Sequence, residues 1–499
     1  MKKWLTLLVL MLVPLCAHAD ALQTQTYPGS VLYPGGDMMR QNAYAGLCQT
    51  QEPRLSMEWS SPVAFEGKLP LHTQPLIVKW AVEVRSVMPI LRRPDDGPVR
   101  EEEDMVALKE VLLALGDRII GLELGPSPAS AYDVRSPIRI GGKLTGDLLV
   151  EPTGLLLAGR QAEDGATETV AVDLIDNAPL LLPDSRHSIA APLSPVWMRG
   201  VTPRGFVPGD GGSFWATWRQ PASYANGRLA FTTDATACAQ EAEQLLALST
   251  PNGGVSAALP LSSGMLRYCL QTSGDKYELV CLAESGDVKW RAPAVNEAGE
   301  MCVTALDDGY AVVLLEAEAG QYQLHALDAK SGAALWTRRF PTTLPLETAQ
   351  AQMRTPIAGQ GTQSDRIVVT VNESPQDCTI YCINKASGDI LWQERCTGSI
   401  VTRPVMIHLT HETTTDYDAY DPYPSSTGAA LAVAVTNLDS GSYLALYQME
   451  DGRLLDRTPG DLYGYVIAAD LVAYRNMLVT VSTDGHWCNV EAYRLTGED

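Results

Sequence analysis

The sequence predicts an all-β fold: a single β-propeller built of four-stranded antiparallel blades. Three observations carry that prediction. A hydrophobic strand, a Ser-Gly turn and a short Trp-bearing strand recur as ELVCLAESGDVKW (278–290), LHALDAKSGAALW (324–336) and TIYCINKASGDILW (379–392). Aligned on Gly286, Gly332 and Gly388, the copies place Trp290, Trp336 and Trp392 four residues later each time. The remainder, with 41 Gly and 32 Pro, is short Val/Leu/Thr runs punctuated by turn residues, the composition of many short strands. A repeated hairpin with a fixed Trp is the mark of repeated blades.

The chain opens with an export signal over 1–19. Lys2 and Lys3 precede an apolar run from Leu5 to Leu15, and Ala17-His18-Ala19 forms a small-residue cleavage site. That run is short for a membrane span, and Leu15 stands where a lipidation signal at Cys16 wants a small residue. A periplasmic or secreted protein cleaved after Ala19 is expected, with no membrane span. Losing the two lysines takes the formal charge from −22 to −24. Such a surface repels nucleic acid and anionic lipid. Nine cysteines remain, in a compartment that permits disulfides.

A lead-in covers 20–52 and the propeller 53–499. The first unit begins at PLIVKWAVEV (75–84), with an irregular insertion at about 91–117. Within it, the acidic start of 101–115 and the spacing of Val106, Leu108, Val111, Leu112 and Leu115 suit an amphipathic helix; two strands joined at Gly116-Asp117 are the alternative. The second unit runs from Ile138 to Pro183 and the third over 197–258, ending in QLLALST. The Trp-bearing copies supply units four to six. A seventh spans 429–455, with Leu455 where Trp would stand. The last, 464–495, offers three strands, and LSMEWSSPV (55–63) with Trp59 is a lone strand able to complete it and close the ring. The count is eight blades, or seven if 75–130 is irregular.

Ala326-Leu327-Asp328-Ala329-Lys330-Ser331-Gly332 through Trp336 resembles the Ala-x-Asp-x-x-Thr-Gly-x-x-x-Trp docking motif of the pyrroloquinoline-quinone-type (quinoprotein-like) propeller family. The copies ending at Trp290 and Trp392 match more loosely, and Asp37 and Arg40 fit the family's entry motif. The resemblance implies that Trp290, Trp336, Trp392 and Trp59, with the three glycines, dock blade on blade. It also implies, for the family's dehydrogenases, a calcium-bound quinone, an Asp base, adjacent cysteines and a stacking Trp. This chain has no Cys-Cys and no Cys-x-x-Cys-His. The expected function is therefore a non-catalytic binding scaffold in the cell envelope, without cofactor. The alternative is a divergent oxidoreductase using pyrroloquinoline quinone with calcium, or a polysaccharide-active propeller.

Other residues are weaker candidates. The loop insertion 408–428 carries Asp416, Asp418 and Asp421, oxygen ligands of the kind calcium accepts. It also carries Tyr417, Tyr420 and Tyr423, suited to contacting an envelope or secreted protein or a glycan. His408 and His411 are three apart, which on a strand turns them to opposite faces. His325 reads as a structural histidine. Cys378 and Cys396 flank the Gly388 turn almost opposite each other and are the candidate disulfide, with Cys269 and Cys281 a weaker pair.

Overall fold

The computed structural model describes residues 43–48, 52–64, 74–84, 104–124, 137–150, 155–161, 167–173, 178–179, 207–208, 213–215, 222–225, 228–231, 255–261, 264–273, 276–283, 287–292, 302–306, 311–359, 363–400, 402–409, 428–459, 465–474 and 476–497. The fold is mostly β and propeller-like. Strands β1 (Ala43–Cys48) and β2 (Arg54–Ala64) lead in. Sheet 1 is β3 (Leu76–Val84), β4 (Asp104–Leu115), β5 (Arg118–Glu123) and β6 (Ile138–Arg139). Sheet 2 is β7 (Lys143–Val150), β8 (Leu155–Gln161), β9 (Thr167–Asp173) and β10 (Ala178–Pro179). Sheet 3 is β11 (Val207–Pro208), β12 (Ser213–Trp215), β13 (Ala222–Ala225) and β14 (Arg228–Phe231).

Sheet 4 is β15 (Val255–Leu261), β16 (Gly264–Ser273), β17 (Lys276–Leu282) and β18 (Val288–Arg291). Sheet 5 is β19 (Cys302–Ala305), β20 (Ala311–Glu318), β21 (Gln321–Asp328) and β22 (Ala334–Pro341), followed by the helix α1 (Leu346–Gln352). Sheet 6 is β23 (Ile357–Ala358), β24 (Arg366–Ser374), β25 (Asp377–Asn384) and β26 (Ile390–Thr397). Sheet 7 is β27 (Val405–Leu409), β28 (Gly428–Val435), β29 (Tyr443–Gln448) and β30 (Leu454–Arg457), and β1 adds to it parallel to β27, Ala43 opposite Met406. Sheet 8 holds β31 (Val466–Ile467), β32 (Val472–Tyr474), β33 (Met477–Thr483) and β34 (Trp487–Thr496). Its fourth position is taken by β2, antiparallel to β34 from Arg54 opposite Thr496 to Ala64 opposite Trp487.

Sheets pack face to face, so middle strands bury both faces and the two sets of alternate residues serve different seams. Along β28, Ala430, Ala432 and Ala434 join the core shared by sheets 7, 8 and 1, while Leu431, Val433 and Val435 join that of sheets 6 and 7. The fourth strands bury far less. Trp59, Ile77, Val111 and Leu113 of β4, and the apolar residues of β33 form one continuous core, so the first sheet packs on the last.

This double burial explains the main correction. Residues 104–115 are a strand, not a helix, and pair with β3 in unbroken register from Val84 opposite Asp104 to Leu76 opposite Leu112. Val111, Leu113 and Leu115 face sheet 8, while Leu112 and Ala114 face sheet 2. An apolar run with no polar face fills helical positions by default. The irregular insertion expected at about 91–117 therefore gives way to regular strand from Asp104 onward. Ile138 belongs to sheet 1 and not to the second unit. QLLALST (244–250) lies outside the described residues, as do the signal segment, Asp37 and Arg40.

Candidate functional site

The best-defined constellation is the joint between consecutive sheets, and it begins with a local turn. Asp328 Oδ1 accepts from the Ser331 N–H (2.7 Å) and hydroxyl (2.7 Å), which holds its carboxyl below the usual range, and the Gly332 N–H donates to Asp328 O at 2.8 Å. Asn384 repeats this with Ser387 and Gly388. Gly332, Gly388 and Gly452 take φ of 71°, 74° and 77°, a conformation that favours glycine.

Each glycine leaves room for an indole of the preceding sheet. A Cβ on Gly332 would lie 2.6 Å from the Trp290 ring, on Gly388 2.7 Å from Trp336, and on Gly452 2.7 Å from Trp392. The indole N–H then donates to the carbonyl three residues before that glycine: Trp290 to Ala329 O (3.0 Å), Trp336 to Lys385 O (2.8 Å) and Trp392 to Met449 O (3.0 Å). Face and edge of each Trp are thus both committed to the next sheet. Gly286 lies outside the described residues.

Each outer strand also carries a bulge just before its Trp: Ile383 pairs Ile390, then Cys382 pairs Trp392. On β2 the same shift sets Met57 opposite Tyr493 and Trp59 opposite Ala492. Trp59, 3% exposed, therefore occupies the docking position of sheet 8. On β30, Tyr447 pairs Leu454 and Leu446 pairs Asp456. Asp456, not Leu455, stands where Trp would. Sheet 8 explains the exchange, because its last two strands meet without a connecting turn and so offer no turn glycine. Instead Asp456 Oδ2 accepts from the Leu55 N–H at 2.7 Å, and Arg54 donates to Leu455 O at 3.0 Å.

Buried polar groups reinforce the same region. The Arg403 N–H donates to Asp470 Oδ1 (2.8 Å) and its Nε lies 3.1 Å from Oδ2, joining sheets 7 and 8 through a carboxylate with no exposed surface. Gln74 donates to Leu471 O at 2.9 Å, joining sheets 1 and 8. His325 bridges buried Glu316 (2.7 Å) and the Thr337 hydroxyl (3.0 Å) within sheet 5.

The cysteines singled out in the sequence fall on two strand pairs. Cys378 and Cys396 are directly opposed and buried, but stand as free thiols. The Gly398 N–H to Gln376 O bond sets them in a hydrogen-bonded pair, where side chains sit farther apart, and the Cys396 sulfur turns to the Tyr447 hydroxyl at 3.3 Å. Hydrogen bonds from Cys378 and Tyr447 draw the Cys396 thiol down to about 7. Cys269 and Cys281 are one step out of register: Cys281 lies opposite Tyr268 and Cys269 opposite Val280. His408 is buried on β27, and burial pushes its imidazole down to about 4.

Asp416, Asp418, Asp421, Tyr417, Tyr420, Tyr423 and His411 lie outside the described residues. Among the described residues no three metal-ligating side chains gather, and no helix is long and apolar enough to cross a membrane. Sequence reading missed Asp456, Asp470 and Arg403; register against the Trp-bearing strands would have singled out Asp456.

Four-stranded sheets coupled by a Gly–Trp joint define a repeat propeller. The model of the family described as outer membrane protein assembly factor BamB matches residues 204–358 and 324–410, so the chain is similar to that family over this part. Among solved structures, BamB from Moraxella catarrhalis is similar at 14% identity and TM-score 0.43, over 77% of this chain and 95% of that one. Quinohemoprotein alcohol dehydrogenase ADHIIG from Pseudomonas putida HK5 aligns at 10% identity and TM-score 0.48, over 95% and 81%. The Dos1 propeller aligns at 9% identity and TM-score 0.46, over 89% and 97%. No curated protein matches.

The three repeat tryptophans, Trp290, Trp336 and Trp392, are taken up by the seams and are not free to stack on a quinone. Of the buried carboxylates, Glu316, Asp470 and Glu491 are engaged by His325, Arg403 and Tyr493.

Proposed function

We propose that this chain is an exported, non-catalytic propeller that acts as a protein-binding scaffold in the cell envelope. The observation that carries the reading is the commitment of all three repeat tryptophans to sheet–sheet joints, ring and N–H alike. The eight sheets are blades of one ring, with the first strands around the axis and β2 completing the last blade. In such a ring β1, paired with β27, runs along the axis and takes up the space a quinone would need. The family model's description as an outer membrane assembly factor supports a protein partner. The signal segment delivers the chain to the periplasm or beyond, and the Tyr- and Asp-rich loop at 410–427 serves as a contact surface.

Two experiments test this. Affinity capture from envelope extract, comparing the full chain with one lacking 410–427, should retain a defined partner that the deletion loses; unchanged capture contradicts the loop's role. Titration with pyrroloquinoline quinone and calcium should leave the protein's absorbance unaltered, and saturable binding would overturn the non-catalytic reading.

A further inference from the structure

Sheets 5 and 6 end in strands with one and the same exposure pattern. On β22 the residues Leu335, Thr337, Arg339 and Pro341 are exposed, and on β26 Leu391, Gln393, Arg395 and Thr397 are. The intervening residues turn inward: Trp336 docks on Gly388, Arg338 donates to Gly388 O at 2.7 Å, and Phe340 is buried. Each strand therefore shows solvent a Leu and an Arg four residues apart. No described strand pairs with the outer edge of β22. The Thr342 N–H to Gly320 O bond fixes the ladder's phase. Trp336, Arg338 and Phe340 turn their backbone groups to β21, so Thr337 and Arg339 turn theirs to the open edge.

Charge selects between the two strands. In a chain of net −22, β22 carries two arginines and no acid. Arg338 is held by Asp389 at 3.2 Å, whereas Arg339 has no partner among the described residues. On β26, Arg395 is already neutralised by Asp377 at 3.3 Å.

We propose that the open edge of β22 takes up an extended acidic segment of a partner protein as an added strand. Thr337 and Arg339 provide the backbone donors and acceptors, Leu335 faces an aliphatic side chain, and Arg339 faces a carboxylate four positions away. Strand addition draws affinity from main-chain bonds and specificity from alternate side chains. Pro341 ends the usable edge, and the arginines discourage pairing with a second copy of the chain. The inference rests on the scaffold reading, and assigns it a site distinct from the 410–427 loop.

The test uses the full chain and a short fluorescein-labelled Thr-rich peptide carrying one Val and one Glu four positions apart, with a Val–Lys peptide, Lys in place of Glu, as control. Anisotropy should show saturable binding of the Glu peptide alone, and amide exchange should slow at Thr337 and Arg339. Thr337→Pro, which removes an outward N–H, should weaken binding about tenfold, the worth of one charge-assisted or backbone bond. Arg339→Glu should transfer preference to the Val–Lys peptide. Equal binding of both peptides, protection elsewhere, or self-association lost in Thr337→Pro would each overturn the proposal. If either variant unfolds, Leu335→Ser supplies the same comparison. Failure here with envelope capture intact would sink the edge and leave the scaffold standing.

Discussion

Gly332 and Gly388 are the residues on which the repeat turns, for two separable reasons. Positive φ costs a side-chain-bearing residue about 1–2 kcal/mol, and the space over each Cα is filled by an indole, where overpacking costs about 1–3 kcal/mol. Gly332→Ala should therefore lose about 2–5 kcal/mol in urea denaturation, while Gly320→Ala, with positive φ but nothing within 4 Å, should lose only the positive-φ part. His408 gives a pH signature. Its folded-state pKa is depressed to about 4 by burial, so the unfolded chain binds its proton first, and stability falls as pH drops from about 6.5 toward 4 by on the order of 3 kcal/mol. Glu491 works the other way: burial raises its carboxyl, so its contribution is present at low pH and is lost as pH rises through its folded pKa. His408→Leu should flatten the decline of melting temperature between pH 7 and 5; an unchanged slope would assign it to other groups. The glycines and tryptophans were legible because a fixed spacing repeats. The position of Asp456, four residues after Gly452, follows the same spacing; its role does not, because it depends on what the neighbouring sheet lacks.

At the scale of elements, the strand β30 joins its neighbour by charge where others use an indole. Asp456→Ala should cost about 1–3 kcal/mol, the penalty for leaving a buried-edge N–H unmatched, and should speed proteolysis within β2. Asp456→Trp should not recover the loss, since the β34–β2 junction has no turn glycine to receive the ring. A Trp variant as stable as the parent would show that the carboxylate is dispensable. Asp470→Ala, which strands Arg403 between sheets 7 and 8, should be more damaging, about 3–5 kcal/mol. Outer strands and Gly turns could be read directly from sequence because one face meets water and the other a seam. Strand β4 could not: with Val111 through Leu115 buried on both faces, its period carries no information, and only pairing with β3 decides it. Cys378 and Cys396 show the same limit, since their opposition followed from the Gly388 turn but the hydrogen-bonded phase of the pair did not.

For the whole molecule, the chain's two ends meet in one sheet. β2 belongs to sheet 8 by pairing, by the position of Trp59 after the bulge, and by the Asp456 contact to Leu55. The sequence made this legible through arithmetic, three strands at one end and a spare at the other. What it withheld was β1, whose parallel pairing with β27 leaves no pattern in an isolated segment. In the proposed scaffold, that lead-in and the seam-bound tryptophans leave the loops and outer edges for binding. The most direct test is to place a specific protease site within 66–73 and cut the purified protein. The account predicts that the fragment carrying β2 stays bound through gel filtration and separates only on denaturation. A fragment that elutes alone, leaving an intact and soluble remainder, would contradict it.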